Sequence, residues 1–172
     1  PLLRGGGQER GLRAGTENVA AIAGFGLAAE LAREGLGGAG RLASLRDGLE
    51  SGIRELAPEV EIFGSAVPRL LNTSCFTMPG VLAETQVMAL DLEGVAVSAG
   101  AACSSGKVAP SRVLRAMGVD EDQAACAIRV SLGWSSEKAG IDHFLQAWGA
   151  LYSRKGDQAT DSTQSTASTR AA

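Results

Sequence analysis

Residues 125–132 read Ala125-Cys126-Ala127-Ile128-Arg129-Val130-Ser131-Leu132. Every second side chain from Cys126 to Leu132 is apolar, which is the pattern of a strand with one buried face. We predict further short strands at 60–63, 72–78 and 95–97, with helix-periodic segments between and around them. Strands interleaved with helices in one chain predict an α+β fold, a small mixed or antiparallel sheet with helices on one face.

The composition limits the classes of function. The chain has 172 residues, 45% of them hydrophobic, so it can bury a core. A net charge of −3 without a basic block gives no reason to expect a nucleic-acid partner. There is no apolar run of membrane-spanning length, so no membrane partner is expected either. Three cysteines without a C-x-x-C pair favour free thiols and a cytoplasmic location.

The chain is predicted to have three parts. A Gly-rich loop and a helix occupy 1–35, and a small domain occupies 36–152. Within that domain, 98–109 is predicted to be a mobile loop that carries Cys103. Residues 153–172 lack large apolar side chains, so we expect a disordered tail.

The first candidate site is the Gly-rich segment 5–18. Its glycines allow close approach of the backbone to a ligand, and Arg10 and Arg13 supply positive charge. Thr16 is predicted to cap the helix that follows, where free N–H groups favour an anion. The segment is therefore either a phosphate or carboxylate site with Thr16 as a ligand, or a flexible loop before an ordinary helix cap.

The second candidate is Cys103, which lies among small residues in Ser98-Ala99-Gly100-Ala101-Ala102-Cys103-Ser104-Ser105-Gly106. A thiol with no bulky neighbours suits a nucleophile presented to a partner, although it could also be an inert residue in a turn. Cys75 and Cys126 are predicted to be core thiols. His143 is predicted to be a surface residue and not a ligand.

The third candidate is Arg129, a guanidinium between apolar residues on the clearest strand. Such a side chain favours a carboxylate partner in bidentate geometry. It could hold a substrate carboxylate, pair with an acidic residue of this chain, or face water.

Four stretches together, residues 5–18, 98–106, 110–118 and 127–133, resemble the cysteine desulfurases, which are pyridoxal-phosphate (PLP) enzymes of the class V aminotransferase group. The stretch from Cys103 to Pro110 is similar to the NifS and IscS branch. The resemblance implies the C-terminal domain of a fold-type-I PLP enzyme.

The resemblance also implies roles for the candidate residues. Cys103 would attack the sulfur of PLP-bound L-cysteine and become a persulfide, with L-alanine as product. Arg129 would hold the substrate carboxylate, and Thr16 would reach the PLP phosphate of the other subunit in a homodimer. A sulfur acceptor or iron–sulfur scaffold protein would be the partner, and the Cys103 persulfide could contact an iron–sulfur cluster during its assembly.

One departure from the family pattern concerns the lysine that forms the Schiff base with PLP. The lysines of this chain are Lys107, Lys138 and Lys155, and none matches the family position. We therefore expect that this chain lacks the PLP-lysine domain and is inactive alone. Two alternatives remain open: a selenocysteine lyase or other class V enzyme, and a non-enzymatic sulfur-relay module.

Overall fold

The structure is a computed structural model that describes residues 1–100 and 111–168, with side chains placed through residue 155. The chain divides into two compact units, Pro1–Gly38 and Ala39–Ala172. The sequence predicts the boundary between these two parts after residue 35, whereas the structure has it after Gly38. In chain order the elements are α1 (Val19–Glu34), α2 (Ala39–Leu56), β1 (Thr73–Thr77), α3 (Ala83–Leu92), β2 (Ser98–Ala99), α4 (Arg112–Ala116), α5 (Glu121–Ala125), β3 (Ala127–Ser131) and α6 (Lys138–Ser168).

The three strands form an antiparallel sheet in the order β1-β3-β2, which confirms the predicted α+β fold with a small antiparallel sheet. The helices are not confined to one face as predicted, because the short helices α4 and α5 pack on the second face. The strand expected at 60–63 is reduced to a single bridge between Ile62 and Phe76. The strand expected at 95–97 is wrong in position, because pairing begins at Ser98. Val95 and Val97 instead pack against the core, so their apolar character reflects burial and not strand pairing.

The main core lies between one face of the sheet and the helices α2, α3 and α6. Phe76 of β1 makes edge-to-face contacts with Phe144 and Trp148, with ring centroids 6.2 and 5.9 Å apart. Such pairs add to the stabilisation from burial of their area. Other core residues from these elements are Leu49, Ile53, Leu90, Ile128 and Val130.

A smaller cluster lies on the second face of the sheet. It contains Phe63, Leu114 of α4, Ala124 of α5 and Ala127 of β3, with Cys75 packed against it. Successive strand residues point to opposite faces, so Cys75 shares this second face with its cross-strand partner Arg129. The candidate site described below is on this face.

Helix α1 begins differently from the sequence prediction. Its cap is Asn18, whose side-chain oxygen accepts a hydrogen bond from the backbone N–H of Ala21 at 3.1 Å. The prediction that Thr16 caps this helix is therefore wrong, since Thr16 precedes the cap by two residues. No residue of α1 is buried.

The last helix extends into the predicted tail. The described backbone is helical from Lys138 to Ser168. The disorder expected for residues 153–172 stays a prediction. Trp148 and Tyr152, whose rings stack at 5.6 Å, belong to the packed part of this helix.

No helix in the described part of the chain combines the length and apolar character needed to cross a membrane.

Candidate active site

A cleft of about 350 Å³ opens on the second face of the sheet. Arg129 lines it from β3, Cys75 from β1, and Gly100 from the end of β2. The remaining lining residues are Phe63, Ser111, Arg112, Val113, Leu114, Met117, Ala127 and Ile128. The cleft is therefore mostly apolar, with two guanidinium groups and no carboxylate among these residues.

Arg129 is exposed although its neighbours Ile128 and Val130 are buried. It lies opposite Cys75 on β1 and opposite Ser98 on β2. Among the residues that the structure describes, no carboxylate pairs with Arg129. The sequence also allowed Arg129 to pair with an acidic residue of this chain, and no such pair is present among the described residues. The guanidinium faces the cleft instead.

Cys75 is not the core thiol that the sequence predicts. It is half-buried in the wall of the cleft, whereas Cys126 is buried as predicted. Burial raises the pKa of the Cys75 thiol, and the positive charge of Arg129 lowers it by a smaller amount. The thiol is therefore neutral near pH 7. Sequence reasoning missed this residue because an apolar strand pattern does not tell which face carries a cavity.

The Gly-rich segment folds around Arg13. The Arg13 guanidinium donates to the carbonyl oxygens of Gly15 and Thr16 at 2.9 and 3.0 Å, and it lies 3.8 Å from the Glu9 carboxylate. Arg13 therefore holds the loop together through these hydrogen bonds, and the Glu9 carboxylate partly balances its positive charge. Glu9 and Arg10 have φ angles of 51° and 57°, a left-handed conformation that non-glycine residues rarely adopt.

Thr16 is exposed, and among the described residues its hydroxyl makes no hydrogen bond. Because Asn18 provides the helix cap, the Thr16 hydroxyl is not needed for that purpose. Its predicted role as a phosphate ligand stays a prediction. Thr16 belongs to the first compact unit, and Arg129 to the second.

Cys103 lies outside the described residues, as does Lys107. The two described residues that flank this stretch, Gly100 and Ser111, both line the Arg129 cleft. In the described ranges no group of three or more His, Cys, Asp or Glu side chains could hold a metal ion. The predicted cluster contact through Cys103 falls on the undescribed stretch.

The described residues do not fit covalent attachment of PLP. Lys138 forms an exposed ion pair with Asp142 at 2.6 Å. Lys155 lies over the ring of Tyr152, 5.5 Å from its centroid. Neither lysine lines the Arg129 cleft, so neither is placed to form a Schiff base there.

His143 is an exposed residue of α6, as predicted. Its Nε2 lies 2.8 Å from the carbonyl oxygen of Glu93. This contact joins α6 to the end of α3, and neither residue is among the described lining residues of the cleft.

The chain matches a known protein family over most of its length. Residues 5–144 match the family model described as aminotransferase class-V. A cysteine desulfurase of Cereibacter sphaeroides is 50% identical over 146 residues, which are 85% of this chain and 37% of that protein. An IscS-like cysteine desulfurase of Mycobacterium tuberculosis is 41% identical over 148 residues, which are 85% of this chain and 38% of that protein.

A solved structure gives the same assignment. The NifS-like protein from Rickettsia africae ESF-5 superposes with a TM-score of 0.77 at 36% identity, covering 89% of this chain and 40% of that one. This chain therefore spans well under half the length of the relatives that it matches.

Proposed function

Because the chain belongs to the aminotransferase class-V family, and its similar relatives are cysteine desulfurases, we propose that it is part of an enzyme that removes sulfur from L-cysteine. In this proposal the Arg129 cleft binds the carboxylate of L-cysteine, and Cys103 receives the sulfur. PLP, a homodimeric assembly and a sulfur-acceptor protein belong to the same proposal.

The observation that carries the proposal is the setting of Arg129. The guanidinium lines the cleft, and no carboxylate is among the lining residues that the structure describes. A guanidinium without an internal partner can form two parallel hydrogen bonds to an incoming carboxylate. The remainder of the described lining is mostly apolar, so few other polar groups compete for the guanidinium.

The position of Cys103 in the sequence supports its role. It lies three residues after Gly100 and eight before Ser111, and both of these line the cleft. In the proposed reaction the Cys103 sulfur loses its proton and forms an S–S bond with the substrate sulfur while the C–S bond of the substrate breaks. The electron pair of the C–S bond stays with the substrate carbon, which takes up one proton in place of the one that Cys103 lost. The products are a Cys103 persulfide and L-alanine.

The PLP that this chemistry requires has no attachment point among the described residues. PLP supplies the electron sink that makes cleavage of the C–S bond possible. We propose that groups outside this chain hold it covalently, and that the chain contributes Thr16 to its phosphate and Arg129 to the substrate. Isolated, the 172-residue chain is then expected to release no alanine from L-cysteine when PLP is added. Turnover by the chain alone would contradict this part of the proposal.

The decisive experiment measures alanine release by an enzyme of the relatives' full length that contains this chain. Arg129→Lys and Arg129→Gln should raise the KM for L-cysteine by about ten-fold or more, since a bidentate charged contact is lost. Cys103→Ser should abolish persulfide formation while leaving binding of L-cysteine intact. A matched control is Arg115→Gln, which removes the same charge from an exposed residue of α4 that does not line the cleft. An unchanged KM in both Arg129 variants would overturn the proposed function.

A further inference from the structure

We propose that Cys75 is a positioning residue of the Arg129 site, because a small and uncharged side chain opposite Arg129 leaves the guanidinium available to a substrate carboxylate. The inference rests on the proposed function and assigns a role to a residue that the sequence placed in the core.

The first support is the register of the sheet. Cys75 pairs directly with Arg129 across β1 and β3, and Ser98 pairs with Arg129 across β2 and β3. Directly opposite residues in an antiparallel pair have Cβ atoms about 5 Å apart, and opposite charges there attract each other. Arg129 thus has two cross-strand neighbours, and both are small and uncharged.

The second support is the lining of the cleft. Cys75 and Arg129 line the same cavity, and Arg112 is the other charged residue among the described lining residues. An acidic side chain at position 75 would lie beside Arg129 and compete with the substrate for the same N–H groups. A large side chain at position 75 would fill space that a small amino acid needs. Cysteine avoids both effects and still packs against the smaller cluster.

A pair of variants of equal shape tests this role in the full-length enzyme. Cys75→Asp places a carboxylate opposite Arg129, and Cys75→Asn has nearly the same shape without the charge. We expect the KM for L-cysteine to be about ten-fold higher in Cys75→Asp than in Cys75→Asn, with similar kcat at saturation. Equal KM values in the two variants would overturn the proposal, because a purely structural role of Cys75 would affect both alike.

A second measurement uses the 172-residue chain itself and does not depend on catalysis or on folding of the Cys75→Asp variant. Iodoacetate and iodoacetamide both alkylate thiols: the thiolate sulfur displaces iodide, and the thiol proton goes to the buffer. Iodoacetate alone carries a carboxylate. The rate of modification of the Cys75 peptide by each reagent is followed by mass spectrometry, which separates it from the peptides of Cys103 and Cys126.

The expected result is a change in the ratio of the two rates. The ratio of iodoacetate to iodoacetamide should fall by about three-fold or more in Arg129→Gln, because the guanidinium no longer draws the anionic reagent to Cys75. Arg115→Gln removes one charge from the same unit and should leave the ratio close to that of the wild type. An equal fall in both variants, or no fall in Arg129→Gln, would overturn the proposed pairing of Cys75 with Arg129.

The two experiments distinguish failure of the proposed function from failure of the proposed role of Cys75. If the alkylation ratio depends on Arg129 but the KM for L-cysteine does not, the proposed function is wrong and the pairing of the two residues stands. If the KM depends on Arg129 but Cys75→Asp and Cys75→Asn behave alike, the proposed function stands and the role of Cys75 is wrong.

Discussion

The carboxylate of Glu50 on α2 accepts a 2.7 Å hydrogen bond from the hydroxyl of Ser74 on β1, in the buried interior between helix and sheet. The same carboxylate accepts a 2.7 Å hydrogen bond from Arg69, whose side chain is 19% exposed. Ser74 precedes Cys75 in the strand. The network therefore fixes the strand that forms one wall of the Arg129 cleft.

Removal of the Glu50 carboxylate should destabilise the fold strongly. Glu50→Ala leaves Arg69 and Ser74 without their partner in a region of little solvent, so we expect the free energy of unfolding to fall by about 3 kcal/mol. Urea denaturation followed by circular dichroism measures this. The control is Glu55→Ala on the exposed side of the same helix, which should change stability by less than about 0.5 kcal/mol. Equal losses in the two variants would contradict the buried network.

The same network gives the stability a defined pH dependence. Burial by itself raises the pKa of Glu50, but hydrogen bonds from Arg69 and Ser74 and the charges of Arg69 and Arg46 hold the pKa below its ordinary value of 4.5. A carboxyl whose pKa is lower in the folded state stabilises the fold above its unfolded pKa, and this contribution is lost as the pH falls through the folded value.

The difference in unfolding free energy between wild type and Glu50→Gln should therefore be largest at neutral pH and shrink from about pH 4.5 downward. Denaturation curves of both proteins between pH 7 and about pH 3 measure it. A difference that stays constant over this range would show that Glu50 is not ionised in the folded protein.

The two polar residues before α1 should have separate roles. Asn18→Ala removes the side chain that caps the helix, so it should cost about 1 kcal/mol of helix stability. Thr16→Ala should leave the stability of the chain nearly unchanged, since its hydroxyl makes no hydrogen bond among the described residues. In the full-length enzyme Thr16→Ala should weaken binding of PLP, measured by the absorbance of the bound cofactor. A loss of helicity in Thr16→Ala equal to that in Asn18→Ala would restore Thr16 as the cap.

The sequence predicts the elements whose side chains alternate or repeat regularly. The pattern from Cys126 to Leu132 predicts β3, because one face of that strand is buried in the main core. The short strands are less predictable. Ile62 makes only one bridge and β2 has only two residues. Neither segment is long enough to show an alternation of apolar and polar side chains.

The site is predictable in part for a similar reason. Arg129 stands out because a charged residue interrupts an apolar strand. Cys75 does not stand out, because its role depends on which residue the register places opposite it. Thr16 and Asn18 both have capping side chains, and only the backbone geometry shows that Asn18 is the cap.

Ionisation of Cys75 should respond to Arg129 in a direction that the cleft fixes. Burial raises the pKa of the thiol above its ordinary value of 9.0, and Arg129 opposes this increase. Arg112 of α4 also lines the cleft, and none of the described lining residues is acidic. Arg129→Gln removes the nearer positive charge that favours the thiolate, so the pKa of Cys75 should rise further.

The pH dependence of iodoacetamide modification at the Cys75 peptide measures this pKa, because only the thiolate reacts. The midpoint in the wild-type chain should lie above 9.0, and the midpoint in Arg129→Gln should lie higher still. The exposed variant Arg115→Gln should match the wild type, since its charge is outside the cleft. A lower midpoint in Arg129→Gln than in the wild type would mean that the guanidinium does not face the thiol, and the assignment of Cys75 to the carboxylate site would then be wrong.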